Sequence, residues 1–63
     1  MTLLSARRVA DLLGVHPRSV WRMAQTGEIP PPIRLSERLV RWRLSDLREY
    51  LDQKSADAME ARR

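Results

Sequence analysis

Apolar residues at Val9, Leu12 and Leu13 recur with the i, i+3, i+4 spacing of one helical face, which predicts a first helix over residues 6–13. Ser5 stands where its hydroxyl can accept an orphan N–H of the first turn, and Leu4 and Val9 straddle that cap as a hydrophobic staple. Arg8 occupies the place where a capping-box carboxylate would reach back, and Gly14 supplies the stop. A second helix over residues 17–26 follows. His16 caps it, and Pro17 opens it at the one position where a missing N–H costs nothing. Val15 and Val20 repeat the staple, and Val20, Met23 and Ala24 form the inward stripe before Gly27 ends the helix. The opposite face carries Arg18, Ser19, Arg22 and Gln25. Two short helices joined by a tight turn predict a helix-turn-helix.

Pro30, Pro31 and Pro32 forbid further helix and force an extended connection. Residues 33–35 and 39–43 then alternate apolar and polar about the turn Ser36-Glu37-Arg38, which predicts a two-stranded hairpin. The alternation sets Ile33, Leu35, Val40 and Trp42 toward the helices, Arg34, Arg41 and Arg43 outward, and Arg38 at the tip. An isolated hairpin is marginal in water, so its apolar face must pack on the helices. Ser45 caps a third helix over residues 46–54, with Leu47, Tyr50 and Leu51 turned inward and Asp46 at the positive end of the helix dipole. The predicted fold is mainly α with a small β-hairpin, a winged helix-turn-helix over residues 1–54. Residues 55–63 form a charged tail that either extends the third helix or is disordered.

Composition narrows the function. At 63 residues the chain holds one small domain, which buries only roughly 60% of its unfolded surface and leaves no room for a two-domain enzyme. Without cysteine it has no disulfide, thiolate metal site or cysteine nucleophile, which fits a reducing, cytoplasmic address. Its apolar runs are far too short for a membrane span, and no signal peptide or anchor is visible. The charge is uneven. Arg18, Arg22, Arg34, Arg38, Arg41 and Arg43 face only Glu28 and Glu37, so the whole net charge of +4 lies in residues 18–43. Of the 12 basic residues all but Lys54 are arginine, whose planar fork suits phosphate and guanine edges. A sequence pI of about 11.1 agrees with a nucleic-acid footprint.

Three stretches taken together carry a resemblance: Leu4-Ser5 leading into Val9-Ala10-Asp11-Leu12-Leu13-Gly14-Val15, then Pro30-x-Pro32-Ile33-Arg34-Leu35, then Val40-Arg41-Trp42-Arg43-x-Ser45-Asp46-Leu47. Over about residues 3–52 the chain resembles the AlpA-type phage regulators and the excisionase-like small winged-helix proteins related to the MerR DNA-binding domain. The resemblance implies a DNA-binding protein of a prophage or other integrated element, acting as transcriptional regulator, recombination directionality factor, or both. It implies a recognition helix over 17–25, with Arg18, Ser19 and Arg22 near base edges and Trp21 near a phosphate. It also puts Arg38 at the minor groove and Arg41 near the backbone. The chain departs from that pattern at His16, where relatives commonly carry Ser or Thr, and at Ser36-Glu37, where the wing tip is often rich in glycine.

Plainer alternatives stand beside these. Arg18 and Arg22 can form a solvated face paired with Glu28 or Asp11, although such surface pairs contribute only about 0–1 kcal/mol. Arg34 and Arg43 serve either DNA or the sheet edge. Trp42 reads as core with its N–H on a local acceptor, and Trp21 either packs or lies against sugar and phosphate. One histidine without cysteine or clustered carboxylates builds no typical zinc site, so His16 reads as a cap or phosphate contact. Asp46 and Glu49 read as a solvated face with Arg48, and no phosphate-cradling glycine loop exists. No cofactor, metal or catalysis is expected. The expected DNA-contacting set is His16, Pro17, Arg18, Ser19, Trp21, Arg22, Gln25, Arg34, Arg38, Arg41 and Arg43. The expected partners are double-stranded DNA, neighbouring copies of the chain on that DNA, and an integrase, with no membrane. Free in solution the protein is expected to be a monomer. The rival from another class is an adaptor that binds an integrase or response regulator through the third helix and tail.

Overall fold

A computed structural model describes residues 1–61. In chain order the elements are β1 (Leu3–Leu4), α1 (Ala6–Leu13), α2 (Pro17–Thr26), β2 (Ile33–Arg34), β3 (Val40–Arg43) and α3 (Leu44–Ala61). Helices α1 and α2 follow their capping signals closely. The Ser5 hydroxyl accepts from the Arg8 N–H at 3.2 Å, and the His16 Nδ1 accepts from the Arg18 N–H at 3.0 Å. Gly14 and Gly27 end these helices in the left-handed region, at φ 71° and 81°, each donating its N–H back to a carbonyl of the preceding turn.

The core consists of Val9, Ala10, Val20, Ile29, Trp42 and Leu47, with Leu4, Ala6, Leu13, Met23, Ala24, Val40 and Tyr50 packed around it. On α1 the inward face is therefore Ala6, Val9, Ala10 and Leu13. Leu12, expected to point inward, is 50% exposed, because the two alanines complete a stripe that larger residues alone do not reveal. Trp42 is buried as expected, and its indole N–H donates to the Pro30 carbonyl at 3.1 Å, tying the proline segment to the sheet. Leu51, also expected inward, is exposed, so α3 meets the core through Leu47 and Tyr50.

The sheet differs from expectation in two ways. It has three strands in the order β1-β3-β2, because Leu3 pairs with Arg43 and Leu4 with Trp42. Leu4 thus serves as a strand residue as well as the residue before the Ser5 cap. The second difference is register. Ile33 lies opposite Arg41 and Arg34 opposite Val40, and directly paired residues share a face. Arg34 therefore belongs to the helix-facing side with Val40 and Trp42, while Ile33 lies on the outer side with Arg41. Val40 accordingly packs on the core and Ile33 does not. The expected faces required Leu35 to oppose Val40; instead the Leu35 N–H donates to the Leu39 carbonyl at 2.8 Å, and the Leu39 N–H donates to the Ser36 hydroxyl at 3.2 Å. The turn is the expected Ser36-Glu37-Arg38, but three residues between the strands set Leu35 opposite Leu39, one residue away from the register that the expected faces needed, and this exchanges the two faces of β2. Leu35 falls outside the strand and is 51% exposed.

Helix α3 starts at Leu44, directly from β3, so Ser45 lies in its first turn beside Asp46 and is not the residue preceding the helix. It also runs past residue 54 to Ala61. No glycine or proline follows Pro32, so no stop signal interrupts it, and Ala56, Ala58, Gln53 and Lys54 favour helix. Of the expected tail, residues 55–61 are thus helical; Arg62 and Arg63 lie outside the described residues.

Candidate nucleic-acid interface

Burial of Val20 fixes the rotation of α2, and that rotation decides which side chains reach solvent. Arg18, Arg22 and Gln25, spaced i, i+4, i+7, share the exposed face opposite the core. His16, Arg18, Ser19 and Arg22 line an open hollow at the start of the helix. The His16 cap uses Nδ1 as acceptor, so the neutral ring carries its proton on Nε2, away from the cap. Pro17 holds the first helical position beside it.

The alternative pairing of Arg18 and Arg22 with Glu28 or Asp11 does not form. Among the described residues the one ion pair is Arg43 with Asp46, at 4.0 Å. Glu28 instead accepts from the Thr26 hydroxyl at 2.9 Å. The α2 guanidinium groups are therefore left facing solvent without a neutralising carboxylate, on a helix whose only charges are those two arginines.

Trp21 does two things at once. Its ring meets Trp42 edge-on, with centroids 5.1 Å apart at 66°, yet it remains 44% exposed. Its exposed part borders a second hollow together with Ala24, Gln25, Pro32 and Arg34. The register described above is what brings Arg34 there, onto the α2 side of the sheet. Arg38 is exposed at the hairpin tip. Arg41 and Arg43 lie on the other face of β3. Both are half-buried. Arg41 donates from Nη1 to the neighbouring Val40 carbonyl at 2.8 Å, and the Arg43 Nε is buried without an acceptor.

Ten of the basic, polar and aromatic positions singled out in the sequence thus divide into a cluster on and beside α2, a tip residue, and a pair on the outer sheet face. The eleventh, Pro17, shapes the helix start. Strict alternation missed the approach of Arg34 to Trp21 and Gln25; the signal available in the sequence was Ser36, a residue whose hydroxyl can close a tight three-residue turn. It also missed Ala24 and Pro32, which floor the hollow.

Two helices joined through a left-handed glycine, the second presenting unpaired arginines, and a hairpin braced beside it define a winged helix-turn-helix, a class of module that binds double-stranded DNA with its second helix. The family model of the helix-turn-helix domain matches residues 3–55, and the chain belongs to that family. Comparison with curated proteins and with solved structures returns no match. No helix among the described residues is long and apolar enough to cross a membrane, and no group of three or more His, Asp or Glu among them is placed to hold a metal ion.

Proposed function

We propose that this is a sequence-specific DNA-binding protein of a prophage or integrative mobile element, working without catalysis in the bacterial cytoplasm. It acts as an excisionase that sets the direction of recombination, as a transcriptional regulator of integrase or excision genes, or as both. The observation that carries DNA binding is the exposed, acid-free face of α2 with Arg18, Arg22 and Gln25 in register. The resemblance of residues 3–52 to AlpA-type and excisionase-like proteins supports the finer role.

In this reading residues 1–54 are the DNA-binding unit and α2 enters the major groove. Arg18 and Arg22 take guanine O6 and N7 or phosphate oxygens, Gln25 takes adenine N6 and N7, and Ser19 contacts either. The His16 Nε2–H and the positive end of the α2 dipole face the phosphate backbone. Arg38 reaches the adjacent minor groove, whose narrow, negative form attracts arginine, while Arg34, Arg41 and Arg43 contact backbone. Neighbouring copies occupy adjacent sites, bend the DNA and admit or exclude an integrase. A second reading, an adaptor that binds a protein partner through α3, draws support from the exposure of every residue from Leu51 to Met59.

A salt-titrated gel shift tests the two readings. DNA flanking the gene and any nearby attachment site is titrated against a scrambled competitor, with wild type and Arg18→Ala/Arg22→Ala. Specific complexes that weaken with salt are expected, and the double variant loses about 1–3 kcal/mol per arginine while keeping its circular dichroism. Equal, weak binding to both duplexes moves the adaptor to first place.

A further inference from the structure

Two of the hollows that border α2 differ in chemistry. The one at the start of the helix is lined by polar side chains, His16, Arg18, Ser19 and Arg22. The one between α2 and the hairpin, about 350 Å³, is walled by Trp21, Ala24 and Pro32, with Gln25 and Arg34 as its polar members. No carboxylate lines it. The Trp21 ring is held there by its edge-on contact with Trp42, so the wall is fixed before any ligand arrives. Trp21 and Gln25 stand one helical turn apart at i and i+4, which sets the amide beside the ring, and Gln25 continues the face that carries Arg18 and Arg22.

We infer that this hollow receives the C5-methyl group of a thymine in the major groove, with Gln25 bonded to a neighbouring adenine and Arg34 on the adjoining phosphate. The inference rests on α2 lying in the major groove. Within that groove the thymine methyl is the one apolar group that base edges display, and an amide side chain matches the paired donor and acceptor of adenine. A wall of indole, alanine methyl and proline ring gains by covering such a methyl and offers nothing to a guanine or cytosine edge. Arg34 reaches this site only because of the three-residue turn, which turns it to the helix side of the sheet. The α2 surface then meets two features of the duplex: guanine edges or phosphates at the arginines of its first half, and an A·T step at its second half and the hairpin.

The test alters the DNA and leaves the protein intact. In a duplex that the wild-type protein binds specifically, each thymine in turn is replaced by deoxyuridine, which removes only the methyl group. One position is expected to lose about fourfold in affinity, the worth of one buried methyl group, with the other positions changing less than about twofold. Trp21→Ala is expected to abolish the sensitivity at that position, and Trp21→Phe, which keeps an aromatic wall, to retain part of it. If every deoxyuridine duplex binds like its parent while the scrambled competitor still fails, the thymine subsite is wrong and the major-groove reading survives. If no duplex is bound specifically, both fall together.

Discussion

Helices α2 and α3 carry their charges on very different foundations. α2 has 10 residues, a side-chain cap at its start, a left-handed glycine at its end, and Val20 sealed in the core. α3 has 18, springs directly from β3, and touches the core near its start through Leu47 and Tyr50. The charges differ as well. α2 carries Arg18 and Arg22 without an acid, whereas α3 mixes Asp46, Glu49, Asp52 and Asp57 with Arg48 and Lys54. Tertiary packing holds α2 in one orientation, as the proposed contact with base edges requires; the distal part of α3 is sustained by its own propensity, and an isolated helix of that length is marginal. Length is thus a poor guide to which helix does the work. The shorter one is anchored.

The largest effect comes from the residue on which both helices depend. Trp42 lies at the centre of the sheet, packs edge-on with Trp21 of α2, and holds the proline segment through its bond to Pro30. Trp42→Ala is expected to cost about 3–5 kcal/mol, comparable with the whole stability of a domain of about 60 residues. Urea denaturation followed by circular dichroism checks this, the expected outcome being a largely unfolded chain without denaturant. If the variant keeps a wild-type midpoint, the two helices do not share one core and the contrast between them has no structural basis.

A smaller effect isolates the anchoring of α2. Gly27 sits at φ 81° with open space where a Cβ would stand, so Gly27→Ala meets only the backbone cost of the left-handed region. That cost is about 1 kcal/mol, for a domain of this size a lowering of the melting temperature by roughly 4–8 °C. The expected loss appears in thermal unfolding, with binding to DNA reduced less than by loss of Arg18 and Arg22. Were DNA binding to fall more than stability, the end of α2 and the hollow beside it would have a larger share of the interface than its first half.

These two helices also mark how far the chain could be read from its residues. Both ends of α2 were legible because each has a local chemical cause: the His16 imidazole and Pro17 at the start, Gly27 at the end. The presence of the hairpin was legible for the same reason. Its faces were not. They turn on a single residue of register, set by a serine side chain closing the turn, and alternation alone gives the same pattern for either pairing. Strand β1 escaped because two residues are too few to show a period, and Leu4 already had a sufficient explanation in the Ser5 cap. For the candidate interface, the arginines were legible from charge clustering, while the company kept by Arg34 was a matter of tertiary register.

The smallest expected effect concerns the far part of α3. Residues 51–59 are all exposed, and among the described residues their one side-chain hydrogen bond, Gln53 to Asp57 at 3.3 Å, stays within the helix. Ending the chain after Lys54 keeps Leu47, Tyr50 and the contact of the Lys54 ammonium with the Tyr50 ring, 5.9 Å from its centroid. The expected change in unfolding free energy is therefore within about 0.5 kcal/mol, as for surface changes generally. The far-ultraviolet helical signal falls all the same, because residues 55–61 are helical. Affinity for DNA should follow stability and stay close to the full chain, since the removed segment carries none of the α2 or hairpin contacts. If the shortened protein loses cooperative binding to adjacent sites while single-site affinity is kept, α3 acts between copies. If it loses an integrase contact and nothing else, the adaptor role belongs to α3, and the two helices divide partner and DNA between them.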